Sequence, residues 1–71
     1  MPYTSIEDLP LPVRRHLPLH ALEIYLAAFN SAWHSYADRG VEQREDIARR
    51  VAWAAVKRKY RKAGEFWVAR D

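Results

Sequence analysis

Alanines interleaved with large rings in two short stretches constrain the fold of this chain more than any other feature. They are Ala28-Phe29-Asn30-Ser31-Ala32-Trp33 and Val51-Ala52-Trp53-Ala54-Ala55-Val56-Lys57, each with a tyrosine a few residues on, Tyr36 and Tyr60. Alanine lets two helices approach closely, and a ring beside it fills the space between them. The two stretches therefore read as halves of one helix–helix interface, with Trp33 and Trp53 packed in a single core between them. In a chain of 71 residues that interface must supply most of the core, because so small a domain barely offsets the entropy of folding. There is no cysteine, so neither a disulfide nor a thiolate metal site contributes.

The first eighteen residues hold all four prolines, at positions 2, 10, 12 and 18. Asp8-Leu9-Pro10 reads as a helix start, since a proline in the first turn lacks only an N–H that has no partner there. Pro12 disfavours helical geometry at Leu11, so any helix from Pro10 to His16 is short or partly 3₁₀. Leu17-Pro18 closes that turn and opens the next helix. Leu9, Val13 and Leu17, spaced by four, face inward.

A second helix is expected from Leu19 to Asp38, with Ala21, Leu22, Tyr25, Leu26, Phe29, Ala32, Trp33 and Tyr36 on one arc of about 140°. Gly40 is available to end it in the left-handed conformation. A third helix is expected from Glu42 to Ala63, acidic at its start and basic at its end, as the helix dipole favours. Its apolar arc is wide: Ile47, Val51 and Ala55 lie on one flank, and Trp53, Val56 and Tyr60 on the other. Such a helix has to be covered from two directions. Glu65-Phe66-Trp67-Val68-Ala69-Arg70, after Gly64, is strand-like, and Tyr3 near the other end has similar character.

The architecture expected is mainly α. It is a small single-domain bundle over residues 1–71: a short proline-capped N-terminal helix and two long antiparallel helices, with a two-stranded β-ribbon joining the termini. Leu22, Tyr25, Phe29, Trp33, Tyr36, Val51, Trp53, Val56 and Tyr60 form its core. A monomer is favoured.

The formal charge is only +3, but Arg49, Arg50, Lys57, Arg58, Lys59, Arg61 and Lys62 crowd into fourteen residues. A solvated helix face accounts for such a cluster. The functional alternative is a surface for an anionic partner formed by Arg50, Lys57, Arg58, Arg61 and Lys62, with Arg50, Lys57 and Arg61 in one stripe. Nucleic acid is one such partner, and three to five phosphate contacts would make binding fall as roughly the third to fourth power of salt. The N-terminus lacks the regions of a secretory signal, and no apolar run approaches the roughly 20 residues that span a bilayer. A cytoplasmic protein without membrane insertion is expected.

Catalysis finds no constellation here. Ser5, Ser31 and Ser35 lie in no nucleophile turn. His16 and His20 have helical spacing, but Pro18 interrupts it, and His20 and His34 stand about 21 Å apart along a helix. No enzyme activity, no metal site and no cofactor is expected. Asn30, a poor helix former in mid-helix, either faces solvent or uses its amide to bond backbone of the N-terminal segment, pinning Leu9 to Leu17 onto the second helix.

Met1-Pro2-Tyr3, Asp8-Leu9-Pro10, Leu17-Pro18, His20-Ala21, Ile24-Tyr25 and the two tryptophan stretches followed by Tyr60 resemble the small bacterial ChaB proteins. The resemblance covers nearly the whole chain and departs at Arg49, where a histidine is expected. It implies a compact, mainly helical domain with a small sheet contribution. It also implies a non-enzymatic regulatory module whose partner is a protein, a cation transporter in the family's name. No binding residues come with it.

Overall fold

A computed structural model describes residues 3–70. A 3₁₀ turn at Ile6–Asp8 leads into α1 (Leu11–His16), α2 (Leu19–Ser35), α3 (Val41–Lys59) and the strands β1 (Tyr60–Ala63) and β2 (Phe66–Ala69). The fold is mainly helical, as expected; Met1, Pro2 and Asp71 lie outside the described residues.

Proline punctuation sets the N-terminal third. Pro10 precedes α1 and its carbonyl accepts from Val13 N–H (3.0 Å) and Arg14 N–H (3.1 Å), while Pro12 occupies the first turn. Leu17 is extended, as a residue before proline prefers, and Pro18 opens α2 by accepting from Leu22 N–H at 3.0 Å. Leu9, Val13 and Leu17 are all buried.

Three contacts fix how α2 and α3 lie. Arg44 meets Trp33, Trp53 meets Tyr25, and Tyr60 meets His20. One position number rises as the other falls, so the helices are antiparallel. On α3 the innermost residues are Ala48, Ala52 and Val56, all with zero exposure. Spaced by four, they make a shallow stripe on which the rings of α2 can settle.

Trp33 belongs to the core and Trp53 packs against it. They are the ends of a chain of rings: Trp33 stacks on Phe29 (6.4 Å between centroids), Phe29 on Tyr25 (6.2 Å), and Tyr25 meets Trp53 edge-on (5.3 Å). Trp33 is buried, whereas Trp53 is partly exposed and continues to Trp67 at 5.4 Å. Leu22, Tyr25, Phe29, Val56 and Tyr60 are buried as expected.

Five expectations are corrected. The ribbon joins no termini: it is a hairpin within the C-terminal segment, pairing Tyr60 with Ala69 through Ala63 with Phe66. Consequently α3 stops at Lys59 instead of Ala63, because residues 60–63 gain strand partners that a helix would deny them. Tyr36 and Val51 are exposed. Tyr36 follows the last turn of α2, which ends at Ser35, and Val51 lies on a flank of α3, beside the stripe that Ala48, Ala52 and Val56 bury. Gly40 has a φ of −64° and precedes α3; Gly64, at +66°, holds the left-handed conformation as the first residue of the two-residue hairpin loop.

Candidate functional site

Of the five residues proposed as an anionic-partner surface, Arg50, Lys57 and Arg61 were expected in one helical stripe, and Arg61 lies instead in β1. Arg50 lies on the outer side of α3 and pairs with Asp46 one turn earlier at 3.0 Å, an exposed i,i+4 pair of small energetic consequence. Because the helix ends at Lys59, Arg61 and Lys62 follow strand alternation and take opposite faces of the hairpin. Arg61 sits across from Val68, and Lys62 across from Trp67. Arg58 borders a groove with His20, Lys59, Tyr60, Ala69 and Arg70. Only Lys57 and Lys62 are brought together, at a second groove. Of the stripe on which the nucleic-acid alternative depended, Arg50 and Lys57 remain two turns apart on α3, and Arg61 has passed to β1.

The groove shared by Lys57 and Lys62 has a volume of about 420 Å³. α1 contributes Pro12, Val13 and His16, α3 contributes Trp53 and Lys57, and the hairpin contributes Lys62, Gly64, Glu65 and Trp67. The two indoles, 5.4 Å apart and inclined at 33°, line it together. Trp53 is braced from the core side by Tyr25, whose ring meets it at 78°. The imidazole of His16 is held by its own helix: its Nδ1–H donates to the Pro12 carbonyl at 2.8 Å. Phe66, 59% exposed, lies 6.5 Å from the same imidazole and extends the apolar surface past the groove's edge. An aromatic lining with ammonium groups beside it can take an apolar side chain flanked by carboxylates.

The Arg58 groove is used differently. Arg70 turns its guanidinium into the end of α3, where Nε donates to the carbonyls of Lys57 (2.7 Å) and Tyr60 (3.1 Å). Its backbone N–H donates to the Lys59 carbonyl at 2.8 Å. A cation there satisfies carbonyls that helix geometry leaves without partners. His20 faces Glu23 at 3.4 Å. These contacts anchor β2 to α3 and commit Arg70 to a structural role.

One further polar contact escaped the sequence reading, and another was read with a different partner. Arg44 donates from Nε (3.1 Å) and Nη2 (2.7 Å) to the Trp33 carbonyl and lies 4.1 Å from the centre of its ring, capping α2 and stacking at once. An arginine near the positive end of a helix dipole was the available signal. Asn30 bonds N-terminal backbone, with Tyr3 as the partner: Oδ1 accepts from Tyr3 N–H (2.8 Å) and Nδ2 donates to Tyr3 O (2.7 Å). Tyr3 packs its ring 4.8 Å from Phe29. Burial pushes the Tyr3 and Tyr25 hydroxyls above the ordinary tyrosine range. Among the described residues no three His, Asp or Glu side chains converge as metal ligands would.

Comparison with known proteins places this geometry. The ChaB family model matches residues 9–70, a span that contains every residue lining the Lys57–Lys62 groove. The chain is 49% identical over 69 residues to proteins of Escherichia coli K12 and Shigella flexneri, each named "Putative cation transport regulator ChaB"; the match covers 92% of this chain and 91% of theirs. An NMR solution structure described by the same name superposes with a TM-score of 0.89 at 45% identity, covering 99% of this chain and 100% of that one.

Proposed function

The chain belongs to the ChaB family, and on that footing we propose that it is a non-enzymatic regulatory module that modulates a cation transporter through protein–protein contact. The observation that carries this reading is the regulatory name of relatives 49% identical over nearly the whole chain. A separate chain can regulate a transporter only if it binds one of the transporter's states better than another. That requires a contact surface with anchoring groups, and partly exposed tryptophans beside lysines have the composition of such anchors. No helix of the described residues is long and apolar enough to cross a membrane, so we assign the contact to the transporter's aqueous face, on the cytoplasmic side.

Everted membrane vesicles carrying a single cation transporter from the same cell provide the test, with cation exchange followed by an ion-sensitive dye. Saturating amounts of the purified chain should move the half-saturating cation concentration by about fivefold or more, within the usual range of coupling between sites. Unchanged exchange across the cell's cation transporters would overturn the reading.

A further inference from the structure

We propose that the groove between α1, the end of α3 and the hairpin is the recognition site for an extended acidic peptide segment. One apolar or aromatic side chain of the segment rests on Trp53 and Trp67, and flanking carboxylates meet Lys57 and Lys62. The inference rests on the regulatory reading only in taking the partner to be a protein, and it adds which face binds and what chemistry is bound.

The rings are the first argument. A chain with so small a core has little apolar surface to spare, yet Trp53 and Trp67 both remain partly exposed at 5.4 Å from one another. Phe66 stands 59% exposed just beyond them. Apolar surface grouped this way, rimmed by polar side chains, marks a place where something binds. A groove of about 420 Å³ suits one large side chain and parts of its neighbours.

Charge selects among the occupants. Five of the six residues from Lys57 to Lys62 are cationic, and two of these border the groove against a single acid, Glu65. Among the described residues neither Lys57 nor Lys62 has a carboxylate within ion-pair distance, whereas Arg50 has Asp46 and Arg70 has the end of α3. The groove therefore offers two uncommitted ammonium groups beside an apolar surface. A phosphate backbone would meet the cations but gain little from Pro12, Val13 and the indoles that line the groove. An acidic segment with an apolar anchor satisfies both halves of the surface.

The test is a titration of the ¹⁵N-labelled full chain followed by NMR, at about 100 mM salt so that long-range attraction is screened. The probe is an acetylated, amidated decapeptide of alternating glutamate and leucine around a central phenylalanine. The control has lysine at every glutamate. The indole N–H signals of Trp53 and Trp67 should shift while that of Trp33 stays in place, and the lysine peptide should leave all three unmoved. A Lys57→Glu, Lys62→Glu double variant, altered only at exposed positions, should keep the native spectrum and bind the acidic peptide at least about tenfold more weakly.

Absence of indole shifts up to about 1 mM peptide, or equal shifts with both peptides, would overturn the proposal. So would stronger binding of duplex DNA or of anionic vesicles at the same lysines, or indole shifts that follow protein concentration alone, the mark of a second copy in the groove. The peptide experiment contains no transporter. Vesicle exchange that responds equally to the wild type and the double variant, with no peptide bound, would remove this site and leave the regulatory reading standing. Peptide binding without any effect on exchange would do the reverse.

Discussion

Asn30 carries the sharpest consequence of any single side chain. Its amide matches both backbone groups of Tyr3, at 2.8 and 2.7 Å, and so holds the start of the chain against Phe29. Neither an alanine nor an aspartate reproduces the pair: alanine makes no bond, and aspartate accepts but cannot donate. Asn30→Ala should destabilise the fold by about 1–3 kcal/mol, the usual consequence of leaving partly buried polar groups without partners. Asn30→Asp should be no milder, since it sets a charge against the Tyr3 carbonyl. Urea unfolding monitored by circular dichroism would measure both, and a loss below about 0.5 kcal/mol would show that water replaces the amide without penalty. Mid-helix asparagine pointed to backbone bonding in the sequence. It could not identify Tyr3, because that partner lies 27 residues away and only the packing of the N-terminus on α2 brings it there.

Among the elements, the hairpin is the one whose existence hangs on a single backbone angle. Gly64 has a φ of +66°, and a side chain there is strained even though a Cβ would meet nothing within 4 Å. Gly40 has equally open surroundings but an ordinary φ of −64° at the position before α3. The same substitution should therefore have opposite signs at the two glycines. Gly64→Ser should cost about 1–2 kcal/mol through left-handed strain. Gly40→Ser should gain a few tenths of a kcal/mol, because a serine oxygen at that position can accept from a free N–H of the first turn. Thermal melts of the two variants decide the matter; a shift of the same sign in both would mean that the hairpin turn is not where the strain lies. The strand at Tyr60–Ala63 was hidden by composition: Arg61, Lys62 and Ala63 are good helix formers, and only pairing with Phe66–Ala69 overrides that preference. A glycine opening a two-residue loop between rings at 60 and 67 was the signal available.

Taken whole, the molecule couples its stability to the ionisation of two phenols, Tyr25 buried and Tyr3 half-buried. Burial is the largest influence on Tyr25 and on Tyr3. The Tyr3 charge reinforces it at Tyr25 and Glu45 at Tyr3, while the Arg49 cation opposes it at both. The folded state thus prefers the neutral phenol more strongly than the unfolded chain does. Its contribution is complete below the unfolded tyrosine value of about 10 and is lost as pH rises from there through the higher folded value. Urea midpoints should fall as pH rises above about 10. Lysines also titrate in that window, so the discriminating measurement is Tyr25→Phe, which should flatten the decline; an unchanged slope would show that Tyr25 has no part in it.

What the sequence determined by itself was whatever depends on neighbours three or four residues apart. The helical period placed Leu22, Tyr25, Phe29 and Trp33 inward on α2, the prolines delimited α1, and Leu9, Val13 and Leu17 were legible as buried for the same reason. Tertiary structure decided where α3 gives way to β1, that Trp53 reaches Trp67 instead of Trp33, and that Lys57 and Lys62 share a groove from which Arg50 and Arg61 are absent. Those outcomes depend on free energies exchanged between segments distant along the chain. The groove draws on residues from Pro12 to Trp67, and no local pattern could place all of them around one cavity before the chain had folded.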